Sequence, residues 1–354
     1  MHYKSKNFKL FLKLSWRMYN ANNTSGTYHR YVRKVAGFTI ILSHQLNDGT
    51  IPERVFRKIQ WYMVEALIMG EMLARLSDKQ ISERDKEGLV YLGAIMALFD
   101  VFVDDFRFQR SRLLNILDRT FSPDGSVISD SDKAIEKIYF SYLERLLITI
   151  DSEHWAGINK HLIIIKLQIE SGEQFEDKTT EEEVLRITLG KGGVSALICS
   201  AFLGRKDESF NTAVFETGGF IQMMNDCQDI YKDTVGGIRT FVHFCESFTE
   251  IFMKMNDQRI RAFRALMSLE LPSAGKSGIL FELNAMFIVI SYKLHLFARA
   301  CSYKLDFCAI RAMDKNHFII NPFSPRSVAA CTVKILDFNP ADIDSIHVFK
   351  FEKS

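Results

Sequence analysis

Ser82-Glu83-Arg84-Asp85 opens a stretch that closes on Leu98-Phe99-Asp100-Val101-Phe102-Val103-Asp104-Asp105-Phe106. Between them Leu89, Leu92, Ile95, Met96, Phe99 and Phe102 recur mostly at steps of three and four, the apolar stripe of an α-helix. A serine followed by acidic residues is a helix start, which places the first turn just after Ser82. The far end is unusual. Asp100 and Asp104 lie four residues apart, so both carboxylates leave one helix face a turn apart. Like charges at that spacing repel, and burial among phenylalanines raises the cost. A divalent cation relieves it, and hard oxygen donors suit Mg²⁺, which binds through one or two carboxylates plus substrate phosphates. Solvation of a helix end is the other reading of the same residues.

Outward from that helix the same period continues. Residues 53–77 carry Val55, Ile59, Tyr62, Met63, Ala66, Leu67, Met69, Met72 and Leu73 on a helical stripe. Asp130-Ser131-Asp132 is placed to cap a helix over 132–151, and Thr180-Glu181-Glu182-Glu183 one through about Leu189. Helical patterns also cover 152–173, 209–234, 241–270 and 277–304, and no proline falls between Pro123 and Pro272. The stretches 20–27 and 121–130 read as connections. No internal repeat is found. Residues 316–354 are richer in proline and β-branched residues and lack helical period. The expectation is one all-α domain of about ten helices over 28–315, preceded by a basic segment over 1–27 and followed by a non-helical tail over 316–354.

Composition excludes several classes. The 354 residues are 47% hydrophobic, ample for a core, which excludes a disordered chain. With 45 Lys+Arg against 43 Asp+Glu the net charge is only +2, which argues against nucleic acid as a partner. No uninterrupted apolar run reaches about 18 residues, which argues against a spanning helix. Six cysteines, Cys199, Cys227, Cys245, Cys301, Cys308 and Cys331, form no CxxC pair, so reduced thiols and a cytoplasmic location are expected.

A second acidic cluster reads Gln222-Met223-Met224-Asn225-Asp226-Cys227-Gln228-Asp229-Ile230-Tyr231-Lys232-Asp233. Asn225, Asp229 and Asp233 fall at i, i+4 and i+8, a line of oxygen donors along one helix face. An amide followed by two acids at four-residue steps is a chelating pattern and a poor salt-bridge design. Lys232 is placed to meet an anion held by the same metal. A polar stripe facing solvent is the alternative. Between the clusters, Gly190, Gly192 and Gly193 interrupt a helical pattern at about 1 kcal/mol each, which predicts a helix break.

With both clusters in hand, the chain resembles the class I isoprenoid synthases, the all-α terpene cyclases and prenyl diphosphate synthases. Asn225, Asp229 and Asp233 resemble the family's Asn/Ser/Glu metal motif, with Asp in place of Ser and of Glu. Asp100 and Asp104 match the ends of its aspartate-rich motif. Val101 stands where a second Asp is usual, and Asp105 follows the cluster. The resemblance covers about residues 35–305 and implies a helical bundle around a central cavity, with the two clusters facing one another. It implies several Mg²⁺ ions, or Mn²⁺, on Asp100, Asp104, Asp105, Asn225, Asp229 and Asp233. It also implies diphosphate contacts from Arg186, Lys232, Arg299 and Tyr303. Lys293 and Arg239 are further candidates for phosphate. Gly192, Gly193 and Phe99 are expected along the broken helix and the cavity wall, with Phe102, Phe215, Phe220 and Trp61 nearby.

The activity so implied is ionisation of a prenyl diphosphate followed by carbocation cyclisation. The leaving diphosphate needs its charge neutralised, and the cation needs a dry aromatic cavity. The 29 phenylalanines suit that need. A squalene- or phytoene-synthase-like coupling enzyme is the main alternative, although Gln228 stands where an Arg usually precedes the matching Asp. A non-catalytic helical scaffold is the other. Membrane-embedded aromatic prenyltransferases share the Asn-Asp motif but need many spanning helices. No Asp-x-Asp-Asp motif for protonation-initiated cyclisation is present. A homodimer is compatible with the sequence. The first 47 residues hold eight Lys/Arg and no acid, interleaved with Phe8, Leu10, Phe11, Leu12, Leu14 and Trp16. That composition suits either an amphipathic helix on anionic lipid or a segment packed over the active-site mouth.

Overall fold

In a computed structural model, residues 2–23, 25–122, 128–161, 178–205, 207–318 and 325–339 are described, with Glu170, Gln174, Ile343, Phe349 and Phe351. Among them lie fourteen α-helices and no strand. They are α1 (His2–Asn22), α2 (Thr27–Leu46), α3 (Glu53–Leu76), α4 (Glu83–Asp104), α5 (Arg110–Phe121), α6 (Ala134–Thr149) and α7 (Ser152–His161). Then follow α8 (Glu181–Ser200), α9 (Glu208–Gln228), α10 (Ile230–Gly236), α11 (Phe248–Ser268), α12 (Ser273–Ala300), α13 (Phe307–Ala312) and α14 (Pro325–Leu336). The chain is all-α. The count exceeds ten because short helices such as α10 and α13 carry too few turns to show a period.

The chain divides into two compact units. An N-proximal unit comprises Trp16–Gly172 and Ser195–Arg205, and a C-proximal unit comprises Met1–Ser15, Glu173–Val194 and Lys206–Ser354.

The N-proximal unit is built on α3 and α4. Ser82 caps α4 as its sequence requires, its Oγ accepting from the Asp85 N–H at 3.1 Å while Asp85 accepts from the Ser82 N–H. A Cβ at Gly93 would meet the Tyr62 and Met63 backbone, and one at Gly70 would meet Leu89. Lys58 pairs with Asp100 and Arg54 with Asp105. Numbers rise along α3 as they fall along α4, so the two helices run antiparallel. Behind α4 lies an aromatic core: Phe102 stacks on Phe108 at 5.1 Å, and Phe99 and Phe102 both meet the ring of Tyr139. The start of α6 falls at Lys133 rather than on Asp130-Ser131-Asp132, because Asp132 is engaged by Arg119 at 2.7 Å. The expected helix over 152–173 is seen as α7; residues 162–169 and 171–173 lie outside the described residues.

In the C-proximal unit α9 packs on α11 and α12 through Phe220, Phe263, Phe252 and Phe287. The tail departs from expectation. Residues 325–336 form α14, a helix too short and too near Pro322 and Pro325 for its period to stand out. It packs on α12, and Phe338 beyond it meets Phe263 and Phe281. Asn7 of α1 is buried and donates from Nδ2 to the carbonyls of Leu336 at 2.9 Å and Phe338 at 2.8 Å.

Two stretches, Glu181–Leu203 and Ser273–Ala300, are long and apolar enough to cross a membrane. About two thirds of each apolar window is buried inside the fold, the pattern of core helices. All six cysteines are free thiols.

Candidate functional site

Asp100 sits in the last turn of α4, where the helix is otherwise apolar, and its residue is only 8% exposed. Its carboxylate is compensated from α3. The Lys58 ammonium lies 2.6 Å from Asp100 Oδ2, and the Tyr62 hydroxyl donates to the same oxygen at 3.2 Å. Lys58 also reaches Asp105 Oδ2 at 3.3 Å, and Arg54 Nη2 reaches Asp105 Oδ1 at 3.4 Å. Burial alone would lower the Lys58 pKa; the carboxylates of Asp100, Asp104 and Asp105 instead hold it above the ordinary lysine value. Burial, and then Asp100, pushes the Tyr62 phenol well up. Asp104 completes the cluster at the last helical residue, and Asp105 is the C-cap.

From sequence Tyr62 counts only toward the apolar stripe of α3, and Arg54 and Lys58 carry no site signal of their own. The three lie at i, i+4 and i+8 on α3, so a polar line was legible there, beneath the apolar stripe that defined the helix. Lys58 thus serves two carboxylates, Asp100 and Asp105, with Asp104 close enough to add to its field. Among the described residues no three His, Cys, Asp or Glu side chains converge on a common metal position. A cation here would therefore draw one or two carboxylates and complete its shell from water or phosphate, which is the habit of Mg²⁺. Carboxylate oxygens are donors of the kind that ion takes.

The second cluster is bent. Helix α9 ends at Gln228 and α10 begins at Ile230, with Asp229 between them at φ −93°, ψ 10°. The i→i−4 bonds nevertheless run through the bend, from the Asp229 N–H to Asn225 O at 3.0 Å and from the Asp233 N–H to Asp229 O at 2.8 Å. Register is kept, but the expected straight line is not. Asn225 is exposed, Asp229 half-buried and Asp233 buried. Lys232 Nζ lies 2.8 Å from Asp229 Oδ2 with its side chain 72% exposed. Lys293, from α12, donates to Gln228 Oε1 at 2.9 Å. Burial lowers the Lys293 pKa, opposed by the charge of Asp229.

Asp226 faces the other way. Its Oδ1 accepts from Gln222 Nε2 at 2.9 Å and its Oδ2 from Thr188 Oγ1 of α8 at 3.0 Å. Burial raises its pKa to about 6 against those hydrogen bonds. It ties α9 to α8 and leaves the donor line to its neighbours.

The helix break does not occur. α8 runs unbroken over Glu181–Ser200, with Thr180 and Glu183 exchanging the bonds of a capping box at its start. Its glycines serve contact instead. A Cβ at Gly192 would fall on the Gly218 carbonyl of α9, and one at Gly193 on the Phe215 ring. Gly192 thus lets two backbones approach and Gly193 makes room for a ring, which outweighs their propensity cost. Arg186 is exposed on α8. Phe99 lies in the aromatic core at 3% exposure, and Trp61 turns outward to donate to Glu65 Oε1 at 2.6 Å. Arg299 and Tyr303 do not form a one-turn pair, because α12 ends at Ala300 and Tyr303 takes a left-handed φ of 64°. The Arg239 guanidinium lies over Phe244 and donates to Thr179 O at 3.3 Å.

The chain matches no family model and no curated protein. Among solved structures it is similar to a geranyltransferase from Legionella pneumophila, with 13% identity, 76% of this chain and 99% of that one covered, and a TM-score of 0.41. A geranyltranstransferase from Thermotoga maritima gives 13% identity, 75% and 99% coverage and a TM-score of 0.45. A geranylgeranyl pyrophosphate synthetase from the archaeon Geoglobus acetivorans gives 14%, 75%, 99% and 0.43. Likenesses of that depth leave the functional reading to the side chains described above.

Proposed function

We propose that the protein is an Mg²⁺-dependent enzyme acting on a prenyl diphosphate, and that its reaction is cyclisation to a terpene. The observation that carries this reading is the Asp100 cluster. A nearly buried carboxylate closes an apolar, aromatic helix and is held by a lysine that also reaches the carboxylate of Asp105. An ordinary helix end has no use for such an arrangement, whereas a diphosphate-metal complex needs both its carboxylates and its nearby cations. Bound Mg²⁺ would neutralise the charge that gathers on the departing diphosphate.

The chain's own residues have separable roles in this reading. Asp100, with Asp104 or Asp105, would hold a cation from α4 in the N-proximal unit; Asn225, Asp229 and Asp233 would offer oxygen donors to a cation from α9 and α10 in the C-proximal unit. Lys58 and Arg54 are positioned to contact phosphate oxygens once the carboxylates have another partner, and Lys232 and Lys293 are placed similarly beside Asp229. Anion contacts of this kind act where charge develops. Cyclisation is favoured over coupling because one strongly built acidic-and-basic cluster suits one diphosphate.

The test is incubation with C10 to C25 prenyl diphosphates and Mg²⁺, reading diphosphate release and products by mass spectrometry. Release with a product of unchanged carbon count supports cyclisation. A product with twice the carbons moves the assignment to coupling. No release from any substrate overturns the reading.

A further inference from the structure

Helix α1 is fixed along one side and open along the other. Asn7 is buried and clamped to the carbonyls of Leu336 and Phe338. Phe8, Leu12 and Trp16 follow at four-residue steps and are 50%, 53% and 66% exposed. Steps of four place them in one stripe along the helix. Lys9 and Lys13 each follow a stripe residue by one position, about 100° round the helix, and both are exposed. Lys6 is exposed beyond them. An apolar line is thus bordered by a basic one.

We infer that α1 docks the protein on an anionic lipid surface. Three large apolar side chains in a row on an exposed helix face are the signature of an interfacial helix, with lysines placed to meet headgroups. The tryptophan suits the headgroup boundary, where an apolar ring and a polar N–H are both satisfied. Charge selects the occupant. The first 47 residues carry eight Lys/Arg and no acid, so a second copy of the same face would set lysine against lysine. An anionic membrane complements both lines of the helix. The inference is independent of the chemistry proposed above.

Co-sedimentation of the full chain with vesicles of 25% phosphatidylglycerol in phosphatidylcholine, against phosphatidylcholine alone, tests it. Binding should favour the anionic vesicles at least tenfold, weaken between 0.1 and 0.5 M salt, and blue-shift emission that is missing in Trp16→Phe. Leu12→Gln/Trp16→Gln and Lys9→Glu/Lys13→Glu should each lower binding about tenfold while leaving the circular dichroism spectrum unchanged. Equal sedimentation with both vesicles, or binding indifferent to these changes, overturns the proposal. So does a concentration-dependent dimer in analytical ultracentrifugation that the same substitutions abolish.

Discussion

The Lys58 ammonium and the Asp100 carboxylate face one another at 2.6 Å across α3 and α4, with the Tyr62 hydroxyl on the same oxygen. The pair is mostly shielded from water, so each charge depends on the other: removing one partner strands a buried ion.

Lys58→Met should cost about 3 kcal/mol of stability in metal-free buffer, the range for a broken buried pair. Millimolar Mg²⁺ should recover part of it, because a cation takes the vacated place. Urea unfolding with and without Mg²⁺ measures both. A deficit that Mg²⁺ leaves untouched would mean that the carboxylates do not accept a metal.

Asp100→Asn should lower diphosphate release on the order of 100-fold, the scale on which a single charge-stabilising group acts. Asn225→Ala should act similarly. Helical content should be unchanged in both. Wild-type turnover in either variant would remove that cluster from the mechanism.

Asp226→Asn should behave oppositely. Burial raises this carboxyl to about 6 in the folded protein, above its ordinary value near 3.8. The proton is therefore held more tightly when folded, and stability falls as pH rises through that window. Asparagine removes the charge, so the variant should gain on the order of 2 kcal/mol at pH 7.5 and nothing near pH 3.5. Thermal unfolding at the two pH values measures it, and a loss of stability at pH 7.5 would count against a charge-cost account of this residue.

His243 sets an acid limit. Burial lowers its pKa to about 4 from 6.5. The neutral ring accepts the Thr240 N–H at Nδ1, contacts the Thr234 hydroxyl through Nε2 at 3.1 Å, and stacks on Phe307. Because the unfolded chain binds the proton more readily, this contribution is full above pH 6.5 and is lost as pH falls toward 4. The loss is about 3 kcal/mol at most. The fall in unfolding free energy over that interval should be shallower in His243→Gln, and equal slopes would exclude the histidine as its source.

Gly192→Ala should be far more damaging than Gly193→Ala. The first sets a Cβ on the Gly218 carbonyl, which is backbone, and the second on the Phe215 ring, which can turn. The expected costs are about 3 and about 1 kcal/mol. Near-equal unfolding midpoints would show that the α8–α9 approach is not set at Gly192.

The fold is legible in the sequence where one period dominates. Ser82, the α4 stripe and the Asp100–Asp104 spacing carry local rules that packing did not override, and the helix starts at Thr180 and Ser82 follow directly. It is hidden where the cause is a partner. The glycines of α8 looked like a break because their use depends on Gly218 and Phe215, which no local window contains. Tyr303 reads in sequence as one helical turn beyond Arg299, yet the helix ends three residues before it. The polar line of Arg54, Lys58 and Tyr62 is legible on α3, but its use is not: a lysine on a helix is ordinary until an aspartate 42 positions later lies opposite it.

The Asn7 clamp has a consequence for biosynthesis. Its two acceptors belong to Leu336 and Phe338, 329 and 331 positions later. At typical translation rates of about 5–20 residues per second, the ribosome needs roughly 20–60 s to make them. Throughout that interval α1 has emerged without its seat, its greasy stripe and its lysines already formed. Helix α1 is thus made long before the Asn7 clamp can close, and a chain stopped short of α14 would leave Asn7 without either acceptor.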